Sequence, residues 1–147
     1  MFEVYEISAE TVIRGDLACV WATATDVENR PAWDPHERAA RLDGAFAPGT
    51  TGWSKPRGGP GADWVITMVE PLSRWGSRSV LPGGKLVGEN LFEDLGDGRV
   101  RCVKTVRVTG PFAVLFRFYF GKRIRRDFFK TWAALENEVD RRTRLAV

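Results

Sequence analysis

The C-terminal stretch leaves this chain the fewest choices. Residues 111–142 read PFAVLFRFYFGKRIRRDFFKTWAALENEVDRR. Pro111 opens the run, where a missing N–H costs nothing and φ is already helical. Phe112, Leu115, Phe116, Tyr119, Ile124, Phe128, Trp132, Leu135 and Val139 then recur at steps of three, four or five. That spacing is close to the helical period and predicts one long helix with a broad apolar stripe. At ~1.5 Å per residue such a helix is roughly 45 Å long, the span of a small domain. A helix so long and so aromatic needs a concave apolar partner. Gly121 interrupts it, at a cost of about 1 kcal/mol against alanine. It marks a bend or a close approach to the partner, or else a gap that makes room for a ligand.

The rest of the chain reads as the strands that such a partner requires. Phe2 to Ile13 is a first strand with a bend near Ser8 and Ala9. Gly15 stops it, and Asp16 caps a helix from Leu17 to Thr25. Residues 30–33, Arg-Pro-Ala-Trp, form a second short helix or turn that Pro35 breaks. Six strands follow at His36–Phe46, Thr50–Lys55, Asp63–Glu70, Arg74–Leu81, Lys85–Leu95 and Arg99–Thr109. Turn residues separate them: Pro48-Gly49, residues 56–61, Pro71, Pro82 with two glycines, and Gly96-Asp97-Gly98. Short turns between successive strands make an antiparallel meander. With its helices segregated, the chain is α+β and, at 147 residues, one domain.

Composition excludes several classes. No apolar run approaches the ~18 residues of a membrane span. The N-terminus lacks the basic start and apolar centre of a signal peptide, so the expected compartment is the cytoplasm. Cys19 and Cys102 are too few for a disulfide framework and stand in no CxxC pair, so they read as small buried residues. The one histidine, His36, cannot build a metal site with them, and no dinucleotide or phosphate loop is present. The sequence thus names no metal and no cofactor. Residues 111–147 carry nine Lys/Arg and four Asp/Glu, against thirteen and fifteen in residues 1–110. The basic cluster Arg117, Lys122, Arg123, Arg125 and Arg126 is the outer face of an amphipathic helix, or a surface for an anionic partner. Nucleic acid is not expected, because the basic residues sit on the helix and not among exposed sheet aromatics.

Certain residues resemble a known family. Val20-Trp21, then residues 25–28 (Thr-Asp-Val-Glu) and Trp33-Asp34-Pro35, with Gly98-Arg99-Val100 and the run Thr105 to Pro111, resemble the START-like (SRPBCC) superfamily. The nearest branch is the polyketide cyclase/dehydrase and lipid-transport group. The resemblance covers nearly the whole chain. It implies the helix-grip (START/Bet v 1-like) fold: a curved antiparallel sheet of about seven strands around a long C-terminal helix, with two short helices after the first strand and a deep apolar cavity between sheet and helix. Members of the superfamily include cyclases, dehydratases, lipid carriers, hormone receptors and Hsp90 co-factors, so fold alone selects no activity.

Hairpin parity locates the chemistry. A tight turn at Gly96–Gly98 puts Phe92 opposite Cys102, Asn90 opposite Lys104 and Gly88 opposite Val106. Val100, Cys102, Val106 and Val108 are apolar and face the helix, so Lys104 is a cation on the inward face with Asn90 as its cross-strand neighbour. The same parity turns Trp75, Ser77, Ser79 and Leu81 inward. A lysine in a cavity is costly unless it is paired or wet. It suits a ligand carboxylate or enolate, or a base of lowered pKa. Lys104 and Asn90 are therefore the candidate catalytic residues. Trp33, His36, Trp53, Trp75, Ser77, Ser79, Phe92, Phe116 and Tyr119 are candidate ligand contacts, with Asp34 and His36 as a carboxylate–imidazole pair at the mouth. The expected partner is a small hydrophobic ligand, polyketide-, aromatic- or lipid-like, bound by a monomer or homodimer. Three functions stay open: a cyclase or dehydratase, a lipid carrier or sensor that makes peripheral membrane contact through the C-terminal helix, and an Hsp90-co-factor-like interaction module.

Overall fold

The computed structural model describes residues 4–81 and 83–146. Phe2, Pro82 and the side chains of Leu81 and Phe112, all used above, lie outside that description. The elements are β1 (Val4–Arg14), α1 (Leu17–Ala24), a 3-10 turn (Val27–Ala32), β2 (Glu37–Leu42), β3 (Thr51–Pro56), β4 (Ala62–Glu70), β5 (Arg74–Leu81), β6 (Gly84–Asp94), β7 (Arg99–Thr109), α2 (Phe112–Leu115), a π-helical turn (Phe116–Phe120) and α3 (Gly121–Leu145).

The seven strands form one antiparallel sheet in the order β1-β7-β6-β5-β4-β3-β2. Strands β2 to β7 are a simple meander, and β1 returns beside β7 because α1 and the 3-10 turn carry the chain across the open side. The sheet curls around the C-terminal helix as the helix grip that the resemblance implies. No break in register accompanies the bend expected in β1: its pairing with β7 runs unbroken from Val4–Thr109 to Arg14–Arg99. The β6–β7 register is the one read from parity, with Phe92 opposite Cys102, Asn90 opposite Lys104 and Gly88 opposite Val106.

The core is the space between the concave face and α3. Phe128, Trp132, Leu135 and Val139 of α3 are buried against Ile7, Ile13, Val100, Cys102 and Val106. Each such large side chain contributes roughly 1.5–3 kcal/mol on burial. Asp16 caps α1 as expected, its carboxylate accepting from the Cys19 N–H at 3.2 Å.

The C-terminal helix differs from the continuous rod that the stripe predicts. The Gly121 N–H bonds back to the Phe116 carbonyl, which closes the π turn. A side chain at Gly121 would collide with the Tyr5 hydroxyl of β1. The glycine is therefore the close approach, not a gap for a ligand. An extra residue in a helix rotates the two halves against each other by about 100°. Ile124, Phe128 and Trp132 consequently stay on the inner face, while Leu115 and Tyr119 do not.

Candidate functional site

One chamber opens between β2, the 3-10 turn and α3. Its volume is about 220 Å³, and its lining includes Ala24, Arg30, Trp33, Asp34, His36, Glu37, Trp75, Asn90, Phe92, Lys104, Asp127, Thr131 and Trp132. A second compartment of about 230 Å³ shares Arg30, Trp75, Asn90, Lys104, Ile124 and Phe128 with it and adds Ser54, Trp64, Ser77 and Ser79. Lys104 and Asn90 thus stand at the junction of one two-lobed space.

The walls are aromatic and interlocked, two pairs edge to face and one tilted. Trp21 meets Phe92 at 5.9 Å, Phe46 meets Trp75 at 5.2 Å, and Trp75 meets Trp64 at 6.5 Å. Phe46 leaves the sheet after β2, which is shorter than the strand predicted over 36–46, and folds inward. Trp64 lies across Gly52, where any side chain would displace it, and its indole N–H donates to Ser54 at 2.9 Å.

The charges come from the neighbouring turn and strand. Lys104 projects from β7 with its ammonium 5.2 Å from the Phe128 ring centroid. Burial lowers its pKa to about 8, the Arg30 charge pushes the same way, and Asp34 and Glu37 oppose them. Burial raises the Glu37 carboxyl above the ordinary range, against the pull of Arg30. Glu37 reaches the chamber through a bulge: Ala40 pairs with Ser54, yet Glu37 pairs with Pro56, so a residue is skipped between them. Without that irregularity Arg38 would face in. Arg30 is fixed by one guanidinium N–H to the Ala24 carbonyl at 2.8 Å.

At the mouth, His36 ties β2 to α3. Its Nδ1 is 3.0 Å from the Thr131 hydroxyl and 3.3 Å from Asp34 Oδ1. Its Nε2 is 3.3 Å from Asp127 Oδ1. The His36 backbone N–H also donates to Asp34 Oδ1 at 2.9 Å, so the buried Asp34 orients the imidazole.

Four buried side-chain atoms in the chamber wall have no hydrogen-bond partner: Arg30 Nε, Trp33 Nε1, Trp75 Nε1 and Glu37 Oε2. Among the described residues no other buried side-chain nitrogen or oxygen is left in that state. A buried unpaired group costs about 1–3 kcal/mol, so their convergence on one space marks where this fold forgoes stability.

The sequence-predicted residues divide cleanly. Trp33, His36, Trp75, Phe92, Asn90 and Lys104 line the first lobe, and Ser77 and Ser79 the second. Trp53, Phe116 and Tyr119 do not line it. Trp53 pairs with Asp63 and Arg41 on the outer face, under the Arg41 guanidinium at 5.8 Å. Phe116 packs against the core away from the chamber, with its ring tilted on Phe120 at 5.6 Å, and Tyr119 is 74% exposed because the π turn rotates it off the inner stripe. Arg30 and Glu37 were missed. Glu37 depends on a bulge with no sequence signal, and Arg30 sits in a turn whose side chains parity cannot orient. Neither cysteine takes part: Cys102 is buried, which pushes its thiol up to about 12.

Comparison with known proteins places this geometry. A search of curated proteins finds no match by sequence. Among solved structures, the Zhui aromatase/cyclase from Streptomyces sp. R1128 superposes with a TM-score of 0.80 at 15% identity, over 98% of each chain. Ara h 8.0201 does so at 0.73 and 14% identity, over 93% of this chain and 98% of that one. Norcoclaurine synthase from Thalictrum flavum follows at 0.68 and 10%, over 94% and 98%. These are likenesses of fold. The family profile described as polyketide cyclase / dehydrase and lipid transport matches residues 5–140. With the helix grip, the aromatic chamber and that match along nearly its whole length, the chain belongs to the polyketide cyclase / dehydrase and lipid transport family.

Proposed function

We propose that the chamber binds a small, flat, oxygen-rich aromatic or polyketide-like molecule and moves protons on it. The observation that carries this reading is the set of four unpaired polar atoms in its wall. Two indole N–H groups and a guanidinium N–H call for ligand oxygens, and the Glu37 oxygen calls for a hydroxyl. A purely hydrocarbon guest would leave all four without partners. The aromatic walls supply stacking, and a few convergent polar groups supply orientation.

Lys104 and Glu37 have complementary roles. An ammonium lowered to about 8 has a sizeable neutral fraction just above neutrality, so its amine accepts a proton from carbon next to a ligand carbonyl. Asn90, directly across the ladder, and the Arg30 guanidinium hold the resulting enolate oxygen. Glu37, whose carboxyl retains its proton more readily than usual, donates to a departing hydroxyl. Water leaves, and the proton on Lys104 resets Glu37. This is the chemistry of an aldol-type cyclisation followed by dehydration, with the enclosed walls folding the chain and excluding bulk water.

Two measurements test the reading. Quenching of tryptophan fluorescence by 1-hydroxy-2-acetonaphthone should exceed that by 2-ethylnaphthalene by about tenfold or more in affinity. Equal affinity for the two, or none for either, would remove the ligand class. Hydrogen–deuterium exchange at the acetyl methyl, followed by NMR, should be faster with the protein than in buffer and should fall to the buffer rate with Lys104→Met. Unchanged exchange in Lys104→Met would take the base role from this lysine.

A further inference from the structure

A second surface stands apart from the chamber lining. Val114, Leu115, Phe118, Tyr119 and Phe120 are exposed, Phe118 by 71% and Tyr119 by 74%. Leu115 to Phe118 and Tyr119, and Val114 to Phe118, are steps of three and four, which gather these side chains on one outward face of the helical segment. Leu115 and Tyr119, which the helical period counts into the apolar stripe, stand outside the core.

Positive charge surrounds this apolar ridge. Arg117, Lys122, Arg123, Arg125 and Arg126 are all exposed. Asp127 is the only acidic residue from 111 to 135, and its carboxylate is turned to His36. Among the described residues the ion pairs of α3 other than that one lie further along, at Glu136, Glu138 and Asp140 and between Arg142 and Asp26. Among the described residues the five cations are therefore held without carboxylate partners, while most arginines of the sheet, such as Arg101 and Arg107, are paired with glutamates or aspartates.

The ridge also adjoins the chamber mouth. A surface groove runs between the Pro56–Gly59 loop and Phe120, Arg123 and Arg126, and it shares His36, Ile124 and Asp127 with the chamber lining. A body resting on the ridge would cover this approach.

We propose that the segment from Val114 to Arg126 docks the protein on an anionic lipid surface, with the chamber mouth facing the membrane. Aromatic side chains between basic ones match the boundary between acyl chains and negatively charged headgroups. A nucleic acid would use the cations but leave the aliphatic Val114 and Leu115 without a role. A second copy of this chain would bring the same five cations against each other. This inference rests on observations independent of the proposed chemistry, and its test does not use activity.

The test is sedimentation of the full chain with vesicles of phosphatidylcholine, alone or mixed with phosphatidylglycerol. The mixed vesicles should bind about tenfold more tightly, and added salt should weaken the binding. The double variant Phe118→Ser/Tyr119→Ser should lose about tenfold on mixed vesicles. Arg123→Glu/Arg126→Glu should abolish the preference for anionic lipid. Circular dichroism verifies that both keep the fold. Failure of the wild type to sediment, or equal sedimentation of all three proteins, overturns the proposal. A dimer that Phe118→Ser/Tyr119→Ser dissolves, without vesicle binding, assigns the ridge to a second copy. Retention on heparin without vesicle binding assigns it to a polyanion.

Discussion

Two charged clusters lie along α3, and they are built on opposite rules. Toward its C-terminal end, Glu138 is buried and fully answered. Arg141 reaches both of its oxygens at 2.8 Å, Arg142 adds a bond of 3.0 Å, and Arg142 continues to Asp26 at 3.2 Å. Those bonds hold the Glu138 carboxyl near a pKa of about 2. In the chamber, Arg30, Glu37 and Lys104 are half-buried, yet a buried arginine nitrogen and a buried glutamate oxygen have no partner. The first cluster fastens α3 to the end of α1. The second holds its hydrogen-bonding capacity open. The lesson is that burial of charge does not by itself mark a site, whereas burial without pairing does.

The contrast can be broken most forcefully at Lys104. Lys104→Met should weaken binding of the hydroxylated ketone by up to about 100-fold, roughly 2.7 kcal/mol. The unliganded protein should become no less stable in urea, because a half-buried unpaired cation has gone. A parallel loss of stability would show that Lys104 belongs to the structural class. Glu138→Gln should do the reverse. It should cost on the order of 2 kcal/mol of stability, allowing for screening of the exposed Arg141, and leave ketone affinity unchanged.

The pH dependence sharpens the same comparison. Glu138 has a folded pKa of about 2, below its ordinary 4.5, so its contribution is complete above 4.5 and is lost as pH falls from there toward 2. Lys104 has a folded pKa of about 8, below its ordinary 10.5, so between those values the unfolded chain binds more protons. Stability from this group therefore rises as pH rises from 8 to 10.5. Subtracting the urea profiles of Glu138→Gln and Lys104→Met from wild type should show an acid slope for the first and an alkaline slope of opposite origin for the second. The smallest expected effect is at Trp53. Trp53→Phe, on the outer face, should change ketone affinity by less than about twofold and stability by under about 1 kcal/mol.

Fold and site were legible to different depths. Parity along β6 and β7 placed Lys104, Asn90 and Phe92 because a tight glycine hairpin fixes register, and register fixes which face each side chain takes. The same logic carried Trp75, Ser77 and Ser79 through β5. It failed where regular pairing fails. The β2 irregularity turns Glu37 inward, and the one between Ile66 and Met68 lets both Ile66 and Val69 join the buried side. Trp53 was misplaced because hydrophobic character was allowed to stand for orientation. Its partner across the ladder, Asp63, faces solvent with it. Tyr119 was misplaced because a stripe counted at steps of three to five tolerates an inserted residue without revealing it.

That inserted residue has a consequence for how such a protein diverges. The π turn separates a half-helix that grips the sheet from one that meets the surroundings, and a change of one residue there acts as a rotation of about 100°. Loss of a single residue would swing Phe118 and Tyr119 to a different bearing while leaving Lys104, Glu37 and Arg30 where they are. Descendants could thus change where they settle without changing what they hold, through length alone.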